Sequence, residues 1–158
     1  MDLHKVVLAT ESKRSLERVR SVLGNKAYAS LTAKTTKKVN ELAYKALDAY
    51  RSKIPIEKLP GGGALRNNNL QVTPATPQSG VATVSIEGTH VSVRSRRVQN
   101  ASALAEDLDN GVSRYGREYR RSRISDAVSP YSAIPGNSYT KGWVKSARSA
   151  FAQVRRKG

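Results

Sequence analysis

Apolar residues recur at helical spacing through the first third of the chain. Leu16, Val19 and Leu23 fall three and four apart, as do Val39, Leu42 and Ala46, so the stretch from Glu11 to about Lys53 reads as helix. Gly24-Asn25 marks a break or kink between two helices. Residues 26–53, taken as one helix, would run about 42 Å at 1.5 Å per residue. The face opposite the apolar stripe carries Lys34, Lys37, Lys38, Lys45 and Arg51. Pro55 and Pro60 then stop the helix, because proline lacks a backbone donor and restricts the residue before it.

The period changes after residue 70. Leu70 to Thr73 is a strand candidate. In VATVSIEG, Ala82, Val84 and Ile86 alternate to one face, and in HVSVRSR, Val91 and Val93 do the same with His90, Ser92 and Arg94 opposite. Glu87-Gly88-Thr89 between them reads as the turn of a hairpin, with glycine available for positive φ. The sheet is expected over residues 70–96. Asn100 is placed to cap a short helix, ASALAEDLD, closed by Asn110-Gly111 within 100–110. A last helix over 141–155, capped by Ser138 or Thr140, carries the stripe Trp143, Ala147, Ala150, Phe151 and Val154. The expected fold is a single α+β domain over 1–158. Its long N-terminal helix and its C-terminal helix pack on a small antiparallel sheet, with Val84, Ile86, Val91, Val93, Leu42, Trp143 and Phe151 sharing the core.

Residues 112–139 have no sustained period and read as a long basic loop or arm. Loops of that length inside a compact domain are usually functional or ordered by a partner. In SRYGREYRRSR, Arg114, Arg117, Arg120, Arg121 and Arg123 alternate with Tyr115 and Tyr119. Arginine forks match phosphate, and tyrosine stacks on bases or fills an interface pocket. Contact with a neighbouring subunit, proximity to nucleic acid, and a plainly solvated loop all remain open for this segment.

Charge narrows the field. The net charge is +16 over 158 residues. Residues 1–59 hold 13 basic and 6 acidic side chains, residues 60–112 hold 4 and 4, and residues 113–158 hold 11 and 2. Two basic ends around a neutral middle favour a polyanionic partner, nucleic acid foremost. No run approaches the ~18 apolar residues of a membrane helix. The apolar patch from Val6 to Ala9 is too short for a secretory signal. The absence of cysteine excludes disulfides, thiolate metal sites and cysteine nucleophiles, and suits a reducing compartment.

Enzymatic chemistry finds no site. PGGGALRNNNL, residues 60–70, resembles a phosphate cradle at first sight. A nucleotide loop, however, runs from strand to helix and ends in Gly-Lys-Ser/Thr, whereas here a helix precedes, a strand follows, and no lysine or hydroxyl is present. The stretch is expected to be a helix-to-sheet turn. His4 and His90 have no ligand companion at metal-binding spacing. Glu106, Asp107 and Asp109 read as the wet face of the short helix rather than as a two-metal site. No catalytic residue, metal or cofactor is expected.

The order of elements, together with Pro60, Gly63, Leu65 and Arg66 after the long helix, and Leu104-Ala105 followed by Asp109-Asn110-Gly111, resembles one family. It is that of the tail-completion or head–tail joining (neck) proteins of tailed bacteriophages, relatives of the lambda-type minor tail proteins. In that family the long helix runs into P-x-x-(S/T)-G-x-L-(R/K), and an aromatic-Ala precedes Glu-x-Gly; here the aromatic is missing and aspartate replaces glutamate. The resemblance implies a non-enzymatic virion protein, assembled in the host cytoplasm and located in the neck or tail. It implies a homo-oligomeric ring, six-fold foremost and twelve-fold as the alternative, between connector or adaptor proteins and the tail tube or terminator. Double-stranded DNA would pass through that ring and be held without sequence preference, with Lys34, Lys37, Lys38 and Lys45, or the arm's arginines, at the channel. The competing expectation is a free basic nucleic-acid-binding protein of nucleoid or ribosomal type.

Overall fold

A computed structural model describes residues 1–54, 65–91, 98–110 and 142–157. Its element order is β1 (Asp2–Val7), α1 (Thr10–Lys53), a single π turn (Leu65–Asn69), β2 (Leu70–Thr73), β3 (Val81–Ile86), β4 (Thr89–Val91), β5 (Val98–Asn100), α2 (Ala101–Asn110) and α3 (Trp143–Lys157). The class is α+β as expected, with α1 and α3 packed against a small antiparallel sheet.

That sheet runs in the order β1-β3-β2, with β3 central and both pairings antiparallel. The hairpin expected between β3 and β4 does not form. Both edges of β3 are already taken, and Gly88, at φ 82°, turns the chain out of the sheet. β4 pairs instead with β5 in a separate two-stranded sheet, from Thr89↔Asn100 to Val91↔Val98. The Glu87–Thr89 turn is held by Asn69, whose Nδ2 donates to the carbonyls of Glu87 (2.9 Å) and Thr89 (3.1 Å).

β1 supplies the edge that sequence periodicity missed. Its register on β3 slips between Asp2 and His4, so Leu3 lies in a bulge outside the ladder. The Leu3 side chain is buried, and its carbonyl, left without a ladder partner, accepts from Tyr50 Oη at 3.1 Å and from an Arg148 terminal nitrogen at 2.9 Å. A buried carbonyl left unpaired would be costly.

The core lies between the sheet, the C-terminal half of α1, and α3. Ala43, Ala46 and Tyr50 are fully buried on α1, opposite Val84, Ile86, Trp143 and Phe151 as expected, with Leu42 half-buried at the margin. Val93 and the side chain of Val91 lie outside the described residues. Small alanines let α1 approach closely, and Tyr50 then fills the remaining space with its ring edge-on to Trp143 at 6.2 Å. On α3 the stripe holds at Trp143, Ala147 and Phe151, while Val154 is exposed.

Two caps fix the smaller helices. Asn100 Oδ1 accepts from the backbone N–H groups of Ser102 (2.9 Å) and Ala103 (3.2 Å), the cap expected for α2. Asp109 is not merely a wet-face residue: its Oδ1 accepts from the N–H of Val144 at 2.8 Å, and its carbonyl accepts from Gly142 at 2.6 Å. A carboxylate at the positive end of α3 thus ties that helix to the end of α2. The caps expected at Ser138 or Thr140 lie outside the described residues.

Candidate nucleic-acid interface

The most basic described surface is the N-terminal half of α1. Gly24, where a break was expected, sits at φ 80° and ψ 178°, a conformation essentially reserved for glycine. The chain doubles back there. Lys13, Leu16 and Glu17 line one cavity of about 180 Å³ together with Tyr28, Thr32, Thr36 and the Pro77–Gly80 loop. On a straight helix Lys13 and Thr36 would stand about 35 Å apart. The two segments are therefore the arms of an αα-hairpin, and the Arg20 guanidinium lies over the Tyr28 ring at 5.5 Å.

The packing between the arms is thin. Leu16 and Val19 on the first arm are only half-buried, and the first fully buried side chain of α1 is Val39. Thr32 Oγ1 faces no partner between the arms. The hairpin thus contributes little to the core, and its surface is free to be polar. Its residues 10–38 carry eight lysines and arginines against Glu11 and Glu17 alone. Lys13, Arg14, Arg18, Arg20, Lys26, Lys34, Lys37 and Lys38 are all exposed.

Lys34, Lys37, Lys38 and Lys45 share the exposed face of the second arm and its continuation. They are not an unbroken cationic stripe. Lys38 pairs with Glu41 at 3.8 Å, and Arg51, half-buried, pairs with Asp48 at 3.7 Å. Among the described residues no carboxylate lies within 4.0 Å of Lys34, Lys37 or Lys45. Arg14, Arg18 and Arg20 on the first arm had not been singled out. Helix reversal at Gly24 brings them onto the same projecting hairpin. The signal for this was the glycine itself, together with the weak apolar content of both arms. The seven arm residues Arg114, Tyr115, Arg117, Tyr119, Arg120, Arg121 and Arg123 lie outside the described residues.

The other polar cluster is internal. Tyr50 Oη donates to Leu3, accepts from Arg148 Nε at 3.2 Å and lies 3.4 Å from His4 Nδ1. His4 stands edge-on to Phe151 at 5.0 Å. Burial holds the His4 pKa below its ordinary value, and the charges of Arg148 and Arg155 push the same way. Burial raises that of Tyr50, against the opposing hydrogen bond from Arg148. The cluster joins β1, α1 and α3 and offers no open nucleophile.

No group of three or more His, Cys, Asp or Glu side chains able to hold a metal ion occurs among the described residues. Nor is any described helix long and apolar enough to cross a membrane. Gly61–Gly63 of the glycine stretch lie outside the described residues. Around them the order remains helix before and strand after, and Asn69 is occupied by backbone carbonyls. Compared with protein-family models, curated proteins and solved structures, the chain has no match.

Proposed function

We propose that the protein is a non-enzymatic ring subunit from the neck of a tailed bacteriophage, placed between head connector and tail, through which double-stranded DNA passes. The observation that carries this is the basic αα-hairpin, which projects from a small α+β body and takes almost no part in its core. Repeated around a ring, such a hairpin would surround a channel with lysine and arginine. Phosphate contacts of that kind retain DNA without reading its sequence. The resemblance in element order, with the buried Leu65 and the adjacent Arg66 following α1, supports the same assignment.

A single electron-microscopy experiment on the purified protein tests it. Closed rings with a central hole, six-fold or twelve-fold, are the expected images. A protein that stays monomeric at high concentration while binding duplex DNA tightly, with a steep salt dependence, would replace this assignment with that of a free nucleic-acid-binding protein. The exposed cations of the hairpin serve that second function equally well, since they need no ring to meet phosphate.

A further inference from the structure

Two exposed features of α1 are left over from any contact with DNA. The first is the hairpin tip, where Val22 is 77% exposed and Leu23 66%, with the exposed cations Arg18, Arg20 and Lys26 close in sequence. Aliphatic side chains so placed gain nothing from phosphate. The second lies farther along the same helix. Tyr44 is 52% exposed, and Glu41 and Asp48 stand three residues before and four after it, on the same face. Among the described residues Tyr44 is the one large aromatic exposed to that extent. Its two carboxylates are engaged only in the exposed pairs at 3.8 and 3.7 Å, a kind of contact that contributes about 0–1 kcal/mol and exchanges readily.

We propose that the tip of one copy docks on the Glu41–Tyr44–Asp48 patch of the next. Val22 and Leu23 cover the exposed Tyr44 ring, while the cations of the tip take Glu41 and Asp48 as partners. Tip and patch cannot meet within one chain, because about twenty residues of helix, about 30 Å, hold them apart. Two separate, complementary patches make a heterologous contact, the kind that closes into a ring by rotation. The proposal rests on the ring assignment and names the surface that would build it. Pairing tip against tip would set Arg18, Arg20 and Lys26 against their own copies. A bilayer would have to bury the backbone groups left without helical partners on either side of Gly24. A tip contact this small falls below the ~800 Å² per partner typical of stable pairs. Isolated pairs are accordingly weak, and ring closure, which gives every copy two neighbours, supplies the avidity.

The absence of cysteine makes the test direct. Chains carrying Leu23→Cys and chains carrying Tyr44→Cys are mixed under mild oxidation, and the mass of assemblies is followed by sedimentation. The expected result is a mixed disulfide dimer formed about tenfold faster than between Tyr44→Cys and a Ser12→Cys control on the outside of the first arm. Adding Glu41→Lys and Asp48→Lys to the Tyr44→Cys chain removes that advantage while leaving the helical circular dichroism unchanged. A mixed dimer no faster than the control, or Leu23→Cys linking only to itself, overturns the docking proposal. If rings still sediment in that case, the ring assignment survives without this contact. If the protein sediments as a monomer at every concentration, both fall.

Discussion

The two halves of α1 are one element in sequence and two in physics. From Val39 to Lys53 the helix is written by its neighbours. Alanines at 43 and 46 admit the sheet, Tyr50 is fully enclosed, and its hydroxyl reaches the one carbonyl that the β1 bulge leaves unpaired. From Thr10 to Lys38 no such demand operates, and the positions fill with cations and small polar residues. The contrast separates what the protein needs to fold from what it is free to present.

The comparison breaks most visibly at Trp143. Its ring packs against Tyr50, and its Nε1 donates to the carbonyl of Ala105 at 3.3 Å. Trp143→Ala is expected to cost about 3–5 kcal/mol in urea unfolding. Val22→Ala at the tip removes an aliphatic side chain too, yet should change stability by less than about 0.5 kcal/mol. Equal costs would mean that the hairpin is part of the core after all.

Gly24→Ala comes next. An L-residue at φ 80° and ψ 178° carries strain of order 1–3 kcal/mol. No atom lies within 4 Å of where the new Cβ would stand, so the penalty is conformational rather than steric crowding. Thin packing between the arms cannot hold that strain, and the hairpin is expected to open toward a continuous helix. Spin labels at Glu17→Cys and Thr32→Cys will report the change as a lengthened distance, while the unfolding midpoint of the body moves little. An unchanged distance would show the arms to be locked more firmly than their half-buried contacts imply.

Much of this was legible in the sequence, and the failures have identifiable causes. The break at Gly24, the cap at Asn100 and the buried faces of β3 and α3 follow from local spacing and side-chain chemistry, which the tertiary fold did not override. β1 was hidden by its own bulge. Leu3 faces the core, the register then slips, and Val6 continues the inner face on the other parity, so the period of two is lost. The β3–β4 hairpin was mispaired because alternation identifies strands but not partners, and β3 already had neighbours from residues 2–7 and 70–73. The capping role of Asp109 joins positions 35 residues apart and leaves no local trace. The four lysines on α1 were visible by helical spacing. Arg14, Arg18 and Arg20 joined them only once the helix was seen to fold back.

The body half of α1 also has a pH signature that the hairpin lacks. His4 is neutral where it packs beside Tyr50 and Phe151, with its pKa held below the ordinary 6.5 by burial and by Arg148 and Arg155. Above pH 6.5 neither folded nor unfolded chain carries that proton, so stability is independent of this group. As pH falls below 6.5 the unfolded chain takes up the proton first, and stability is lost until the folded histidine also titrates. Urea midpoints measured downward from pH 7.5 should therefore fall in the native protein. They should fall less in His4→Phe, which keeps an aromatic against Phe151 but cannot titrate. Identical profiles would remove His4 from the account.

The smallest effect on stability carries the sharpest test of the division. Lys34 and Lys37 are exposed, face no described carboxylate, and lie beyond the core half of the helix. Replacing both with alanine is expected to leave the urea midpoint within about 0.5 kcal/mol of native, since alanine is also the better helix former. If the hairpin meets phosphate, each lost contact lowers the slope of log affinity against log salt by about 0.9 for duplex DNA. The double variant should then show a slope shallower by nearly two in fluorescence anisotropy with a labelled duplex of arbitrary sequence. A native slope in that variant, together with a reduced slope after Arg120→Ala and Arg121→Ala, would move the DNA contact from the hairpin to the arm. The hairpin would then keep only its tip and the exposed patch farther along α1, which is the division of labour expected of an element built to hold a neighbour rather than the genome.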